Sequence, residues 1–294
     1  MDIFALIGSF GGGIIGAYIG AVPIFIFAAL LAIVGAVSAM SGGGSFILDY
    51  VAFGSYLGPH IAFAGGVAAA AYAGKKKKIN SGLDLSAPLF GTGDPMTLLV
   101  GGAFGVLGFL IHYVAGTLLR LQTDLPGLAV FLSAIIARYA FGTGGLFGKI
   151  KPEEKRTYFT GGTCFWCNVL LGAGIGIATG FVYQSMINGG VSPEAMASFP
   201  VLSFGIAGAS LIFAHSGAAV PATHHIAILS ALAAVSSGNP LMGVVFGIAA
   251  SLFGDFIGST INSHCDTHVD PPACTIFLFT FLINLLFGSG LIAP

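Results

Sequence analysis

Five of the seven histidines, His215, His224, His225, His264 and His268, fall in one stretch of the chain, with Asp255, Asp266 and Asp270 among them. The residues around them are Ala, Gly, Leu, Ile and Phe, and no lysine or arginine follows Arg156. Imidazoles change charge near neutral pH, and carboxylates hold protons or cations. Ionisable groups set in apolar sequence are expensive and mark functional paths. The chemistry expected here is the binding of a solute or ion coupled to H⁺ or Na⁺.

Each candidate has a bland alternative. His60 and His225 each open a short apolar segment soon after a proline, Pro59 and Pro221. A helix starting there leaves free N–H groups toward a solute. The alternative is a histidine bonded to backbone at an interface. His215, with Ser216, precedes the Pro221-Ala-Thr-His224-His225 turn, so three imidazoles are candidates to converge. Solvent-exposed loop histidines are the rival. Asp255 interrupts an apolar run with Ser251 and Ser259 four residues to either side, on one helix face. That pattern suits a coupling-ion carrier, and Asp255 leads the candidates for it. Asp94 starts the fourth apolar span. Arg138 sits within the fifth and needs an acid or an anion, with Asp124, Asp49 and Asp255 as candidate partners; a structural ion pair is the alternative.

His264, Cys265, Asp266 and His268 alternate as in an extended loop, and such donors suit a divalent transition metal. The Cys164-Phe-Trp-Cys167 pair is a candidate to complete that metal site. A polar loop ahead of a helix that starts at Asp270-Pro271-Pro272 is the alternative. HExxH, P-loop and GxSxG signatures are missing, so an enzyme is not expected.

These groups must be held by membrane helices. Hydrophobic residues make up 56% of the 294 and charged residues 7%, and mean hydropathy is +0.97. Apolar segments long enough to cross a bilayer follow one another. The expected partners are the lipid bilayer and a small-molecule or ion substrate. A net charge of −1 argues against nucleic acid. The 46 glycines suit tight helix packing, and a homo-oligomer is compatible with them.

The spacing predicts an all-α polytopic fold of about ten spans, with a break at Val22-Pro23 and a re-entrant or interfacial segment at 46–57. Lys75–Lys78 and the Lys149–Arg156 linker fall on the same side, which the positive-inside rule makes cytoplasmic. Both termini are then outside.

The two halves repeat each other. Pro126-Gly-Leu-Ala-Val-Phe131 and Phe141-Gly-Thr-Gly144 match Pro272-Ala-Cys-Thr-Ile-Phe277 and Phe287-Gly-Ser-Gly290 without a gap. In the same register Asp124 matches Asp270 and Arg138 matches Asn284. Asp94-Pro95-Met96 matches Asn239-Pro240-Leu241, and His60-Ile61-Ala62 matches His225-Ile226-Ala227. Five spans per copy, an odd number, insert the second copy upside down. Residues 1–148 and 158–294 are then inverted repeats joined by a charged linker at 149–157, with broken or re-entrant segments meeting near the midplane. That is an arrangement of secondary transporters. A passive channel on the same fold and an intramembrane metalloenzyme or metal transporter are the alternatives.

Asn239-Pro240-Leu241 and Ser259-Thr260 are similar to elements of the urea-channel family, which also has two inverted five-helix halves. The resemblance covers that one segment, and Asp94-Pro95-Met96 departs from it in the first copy. It implies passive conduction of a small neutral solute.

Overall fold

The computed structural model describes residues 2–288; the Ser289-Gly290 end of the repeat match lies outside them. The described chain is helical, and its sole β-bridge joins Gly82 to Thr267. Six segments are long and apolar enough to cross a membrane: Ala21–Met40, Pro95–Leu118, Thr163–Asn188, Pro193–His215, Pro240–Ile261 and Pro271–Gly288. The others fall short. Ile3–Ile19, Leu125–Phe141 and His224–Ser237 are apolar but shorter, and Ala64–Lys75 is extended at its start only by a π-type turn over Pro59–Phe63.

In chain order the helices are α1 (Ile3–Ile19), α2 (Ala21–Met40), α3 (Ala64–Lys75), α4 (Pro95–Tyr113), α5 (Leu125–Phe141) and α6 (Thr163–Asn188). They continue with α7 (Pro193–Met196), α8 (Phe199–Ala209), α9 (Leu211–His215), α10 (His224–Ser237), α11 (Pro240–Ile261) and α12 (Pro271–Ile283). Large apolar side chains point outward, as Leu170 and Phe181 do on α6, each 70% exposed. Such a surface needs an apolar surrounding.

The first break falls at Gly20, whose φ of 104° ends α1, rather than at Val22-Pro23. Pro23 sits in the first turn of α2, where a missing N–H leaves no hydrogen bond unmade. Residues 46–57 form a π-type turn, Ile47–Ala52, packed on α2.

Helix starts are set by local chemistry that recurs. Gly93 (φ 62°) ends one turn in the left-handed region, and Asp94 then caps α4 by accepting from the Met96 N–H. Gly238 (φ 68°) and Asn239 do the same for α11, with the Leu241 N–H as donor. Proline follows the cap in both cases, where its fixed φ suits the first helical turn.

Neighbours also recur. α1 packs on α3 and α4, while α6 packs on α10 and α11. α5 touches α3 and α4, and α12 touches α10 and α11. α2 against α8 and α5 against α12 join these two groups. The close contacts rest on glycine. A Cβ on Gly108 of α4 would stand 1.7 Å from the His60 carbonyl oxygen, and one on Gly16 of α1 would stand 1.8 Å from that of Ala62. The α3 entry turn is thus pressed directly between two helix backbones.

Candidate functional site

Two short helices begin side by side in the interior. Asp124 precedes α5 with φ −72° and ψ 103°, and Asp270 precedes α12 with φ −73° and ψ 109°. Each carboxylate caps its own helix: Asp124 accepts from the Gly127 N–H at 2.6 Å, and Asp270 from the Ala273 N–H at 2.7 Å. The second Asp270 oxygen lies 3.1 Å from His268 Nε2. The two first turns touch. A Cβ on Gly127 would meet the Ala273 carbonyl oxygen at 3.0 Å, and the Phe131 and Phe277 rings lie 5.5 Å apart. Thr123 donates its hydroxyl to the Phe277 carbonyl.

Asp124 and Asp270 both line a cavity of 190 Å³. Its other walls come from α2, α8, α10 and the turns around Phe53 and Pro59. His224, the first residue of α10, is its third polar group; the side chain is buried and its Nδ1 has no partner. A neighbouring cavity of 260 Å³ shares Phe25, Phe63, His224 and Asp270 and reaches His268. A third, of 190 Å³, lies beyond Pro271 and Pro272, and His225, Ser251 and Asp255 line it.

The sequence candidates distribute unevenly over this frame. His224 reaches the central cavity, and His225 faces the third one. His215 is exposed at the end of α9, so the expected convergence of three imidazoles does not form. His60 is buried against the α4 side, stacked on His112 with ring centres 4.5 Å apart, while its neighbour Pro59 lines the central cavity. Asp94 is occupied as the α4 cap.

Asp255 accepts from the Thr160 N–H at 2.8 Å and from the Thr160 hydroxyl, which fastens the linker to α11. Ser251 donates to the Asn168 carbonyl at 2.8 Å. Ser259 shares that helix but is outside the lining of the third cavity, and its carbonyl accepts from the Ser263 hydroxyl.

Arg138 is 1% exposed and pairs with none of the carboxylates considered for it. Its five N–H bonds go to Thr267 Oγ1, the Leu146 carbonyl, the Ile261 carbonyl, Asn262 Oδ1 and the Thr267 carbonyl. A guanidinium with every donor used has none left for a substrate.

The loop cluster is likewise taken up by structure. His264 Nδ1 faces Glu154 at 3.6 Å, and the Cys265 thiol donates to the Ile261 carbonyl at 2.9 Å. Asp266 accepts from the Thr143 N–H and hydroxyl, and His268 is with Asp270. Burial pushes the Cys265 thiol above its usual range, and Asp266 adds to the shift while Arg138 opposes it. Cys164 and Cys167 are exposed at the start of α6. Among the described residues no three His, Cys, Asp or Glu side chains form a metal-holding group. The expected donors each found a separate partner.

In the sequence Asp270 reads as a helix start and Asp124 as a candidate partner for Arg138; the fold brings both to one cavity. The signal was present: they match across the halves, and each stands just before a proline-containing helix start.

No curated protein matches the chain, and no solved structure matches it either. The chain belongs to DUF7973, a family of unknown function, whose model matches residues 1–156 and 165–294.

Proposed function

We propose that this protein is a membrane-embedded secondary transporter, coupled to protons or Na⁺, whose site is the cavity between Asp124 and Asp270. One observation carries the reading: two acids that match across the halves cap two helices beginning side by side at one cavity. Half-helices from inverted halves that meet at the substrate site are the architecture of alternating access.

Further support comes from the recurring neighbours of α1–α5 and α6–α12 and from the paired Gly-Asx-Pro helix starts. In this reading the two halves are inverted repeats of five spans. α3, α5 and α10 fall short of a full span, and in this reading their starts and that of α12 lie within the membrane. Lys75–Lys78 and the Lys149–Arg156 linker face the cytoplasm, and both termini face outward. The loop before α12 then descends to Asp270 from the cytoplasmic side, and the loop before α5 rises to Asp124 from the outer side.

The carboxylates of Asp124 and Asp270 are the coupling groups. A proton or Na⁺ held there neutralises charge that the apolar walls disfavour, and that neutralisation permits the cavity to change the side to which it opens. Asp255, fastened by Thr160 outside this cavity, has a supporting role.

The test is flux in proteoliposomes carrying an internal pH indicator, with a panel of small cations, anions and neutral solutes. The expected result is solute-driven H⁺ or Na⁺ movement that Asp124→Asn and Asp270→Asn abolish. Solute flux that persists in both variants with no H⁺ or Na⁺ movement would replace this reading with a passive channel.

A further inference from the structure

We propose that the central cavity takes a small organic ammonium monocation, which exchanges with a proton. This rests on the transport reading and adds the substrate class.

Four phenylalanines and two acids are among the fifteen residues that line the cavity. Phe25 lies 5.5 Å from Phe63 and 5.6 Å from Phe204, with ring planes at 64° and 71°, and Phe53 lies 5.8 Å from Phe204 at 48°. Rings set at such angles do not stack into one slab. They turn faces and edges in several directions, and the His224 ring packs on two of them, 4.7 Å from Phe25 and 5.5 Å from Phe204. The face of an aromatic ring carries negative charge density and attracts ammonium groups. All four of these phenylalanines line the cavity, and no lysine or arginine does.

The electrostatic sum decides the sign of the occupant. Asp124 and Asp270 supply two carboxylates, and two helix N-termini offset them by roughly +0.5 each, leaving about −1. One monovalent cation balances that charge. An anion meets two carboxylates with no basic side chain to oppose them. A hard divalent metal needs six or more oxygens, but one oxygen of each carboxylate is already a helix cap and the other Asp270 oxygen faces His268. A polyol would need more donors and acceptors than two acids and one imidazole provide.

His224 lines the cavity, and its buried Nδ1 has no hydrogen-bond partner among the described residues. In the neutral tautomer with its proton on Nε2, it accepts an N–H from a protonated amine. The volume suits a compact molecule: 190 Å³ is on the order of six waters at roughly 30 Å³ each.

Exchange follows from the same sum. The titratable groups facing this space are Asp124 from the loop before α5, Asp270 and its partner His268 from the loop before α12, and His224 from α10, with His225 of α10 and Cys274 of α12 within electrostatic reach of Asp270. The residues of α2 and α8 that line it, and the turns at Phe53, Pro59 and Phe63, contribute none. A proton bound to either carboxylate removes the charge that holds the ammonium, so the two occupants exclude each other.

The test compares three near-isosteres on the purified full-length protein: tert-butylammonium, tert-butanol and pivalate. The readout is thermal stability in detergent from about pH 8 down to about pH 5, a range in which the amine stays protonated. The expected result is stabilisation by tert-butylammonium alone, weakening as the pH falls. Phe204→Leu, which keeps an apolar side chain but removes the ring, and Asp124→Asn, which keeps the cap, should each weaken apparent affinity about ten-fold or more. Equal stabilisation by tert-butanol, stabilisation by pivalate, no cation effect at any pH, or cation binding unchanged in both variants would overturn the proposal. Flux separates the two readings. Proton movement driven by another solute class and lost in Asp124→Asn would leave the transporter standing without this substrate. Cation binding with no flux of any solute would do the reverse.

Discussion

Arg138 on α5 hydrogen-bonds the loop that leads into α12, and Asn284, just past the end of α12, hydrogen-bonds Gln122 in the loop that leads into α5. Each short helix therefore clamps the approach to the other. The clamps differ greatly in strength. Arg138 spends three N–H bonds on that loop, at Asn262 and Thr267, and two more on the Ile261 and Leu146 carbonyls, whereas Asn284 donates one, at 3.1 Å, beside an open cavity of 480 Å³.

Replacement of the two residues should reflect that difference. Arg138→Gln strands the buried Ile261 and Thr267 carbonyls and should cost about 3 kcal/mol or more, with severe loss of folded protein. Asn284→Ala removes one hydrogen bond and should cost about 1 kcal/mol. Detergent melting curves of the two variants test the ranking. An Arg138→Gln protein as stable as Asn284→Ala would contradict the clamp.

Backbone contact at the α3 entry turn predicts a steep response to a single methyl group. Gly108→Ala and Gly16→Ala place carbon within 2 Å of a carbonyl oxygen, and backbone there cannot yield without separating α1, α3 and α4. Both should abolish folded protein in size-exclusion chromatography. Gly174→Ala on α6, with nothing within 4 Å of its new carbon, should be neutral or slightly stabilising.

The helix-capping and ionisable roles of Asp124 can be separated. Asparagine retains an oxygen that accepts from the Gly127 N–H, so Asp124→Asn should melt close to the parent protein while losing coupled flux. Asp124→Ala loses the cap as well and should be destabilised by about 1 kcal/mol. Loss of flux only in the alanine variant would reduce Asp124 to a cap.

Cysteine labelling tests the orientation. Cys164 and Cys167 are exposed near the linker, whereas Cys274 is buried. A membrane-impermeant maleimide should leave intact cells unlabelled and should modify Cys164 and Cys167 once the membrane is opened. Cys265, whose half-buried thiol is pushed above its usual range, should react more slowly than either. Labelling of Cys164 in intact cells would invert the proposed topology.

Much of this protein follows from its sequence alone. Runs of apolar residues determine helices that need an apolar surrounding, because nothing else covers side chains such as Phe181. The proline and Asx starts at Asp94, Asp124, Asn239 and Asp270 determine where helices begin, since capping is a local interaction. The register that pairs Asp124 with Asp270, and Arg138 with Asn284, is also legible residue by residue.

Tertiary structure decided which of those groups share a space. The spacing of Ser251, Asp255 and Ser259 puts them on one helix side, but only packing against α6 and the linker turned Asp255 toward Thr160. His264, Cys265, Asp266 and His268 have the types and rhythm of metal ligands. Their actual partners, Glu154, Ile261, Thr143 and Asp270, include residues far away in the chain. Arg138 needed buried partners, and packing supplied neutral oxygens of a returning loop in place of an acid. Local sequence specifies what a group can bind. The long-range close approach of α5 and α12, permitted by Gly127, decides that Asp124 and Asp270 open onto one cavity.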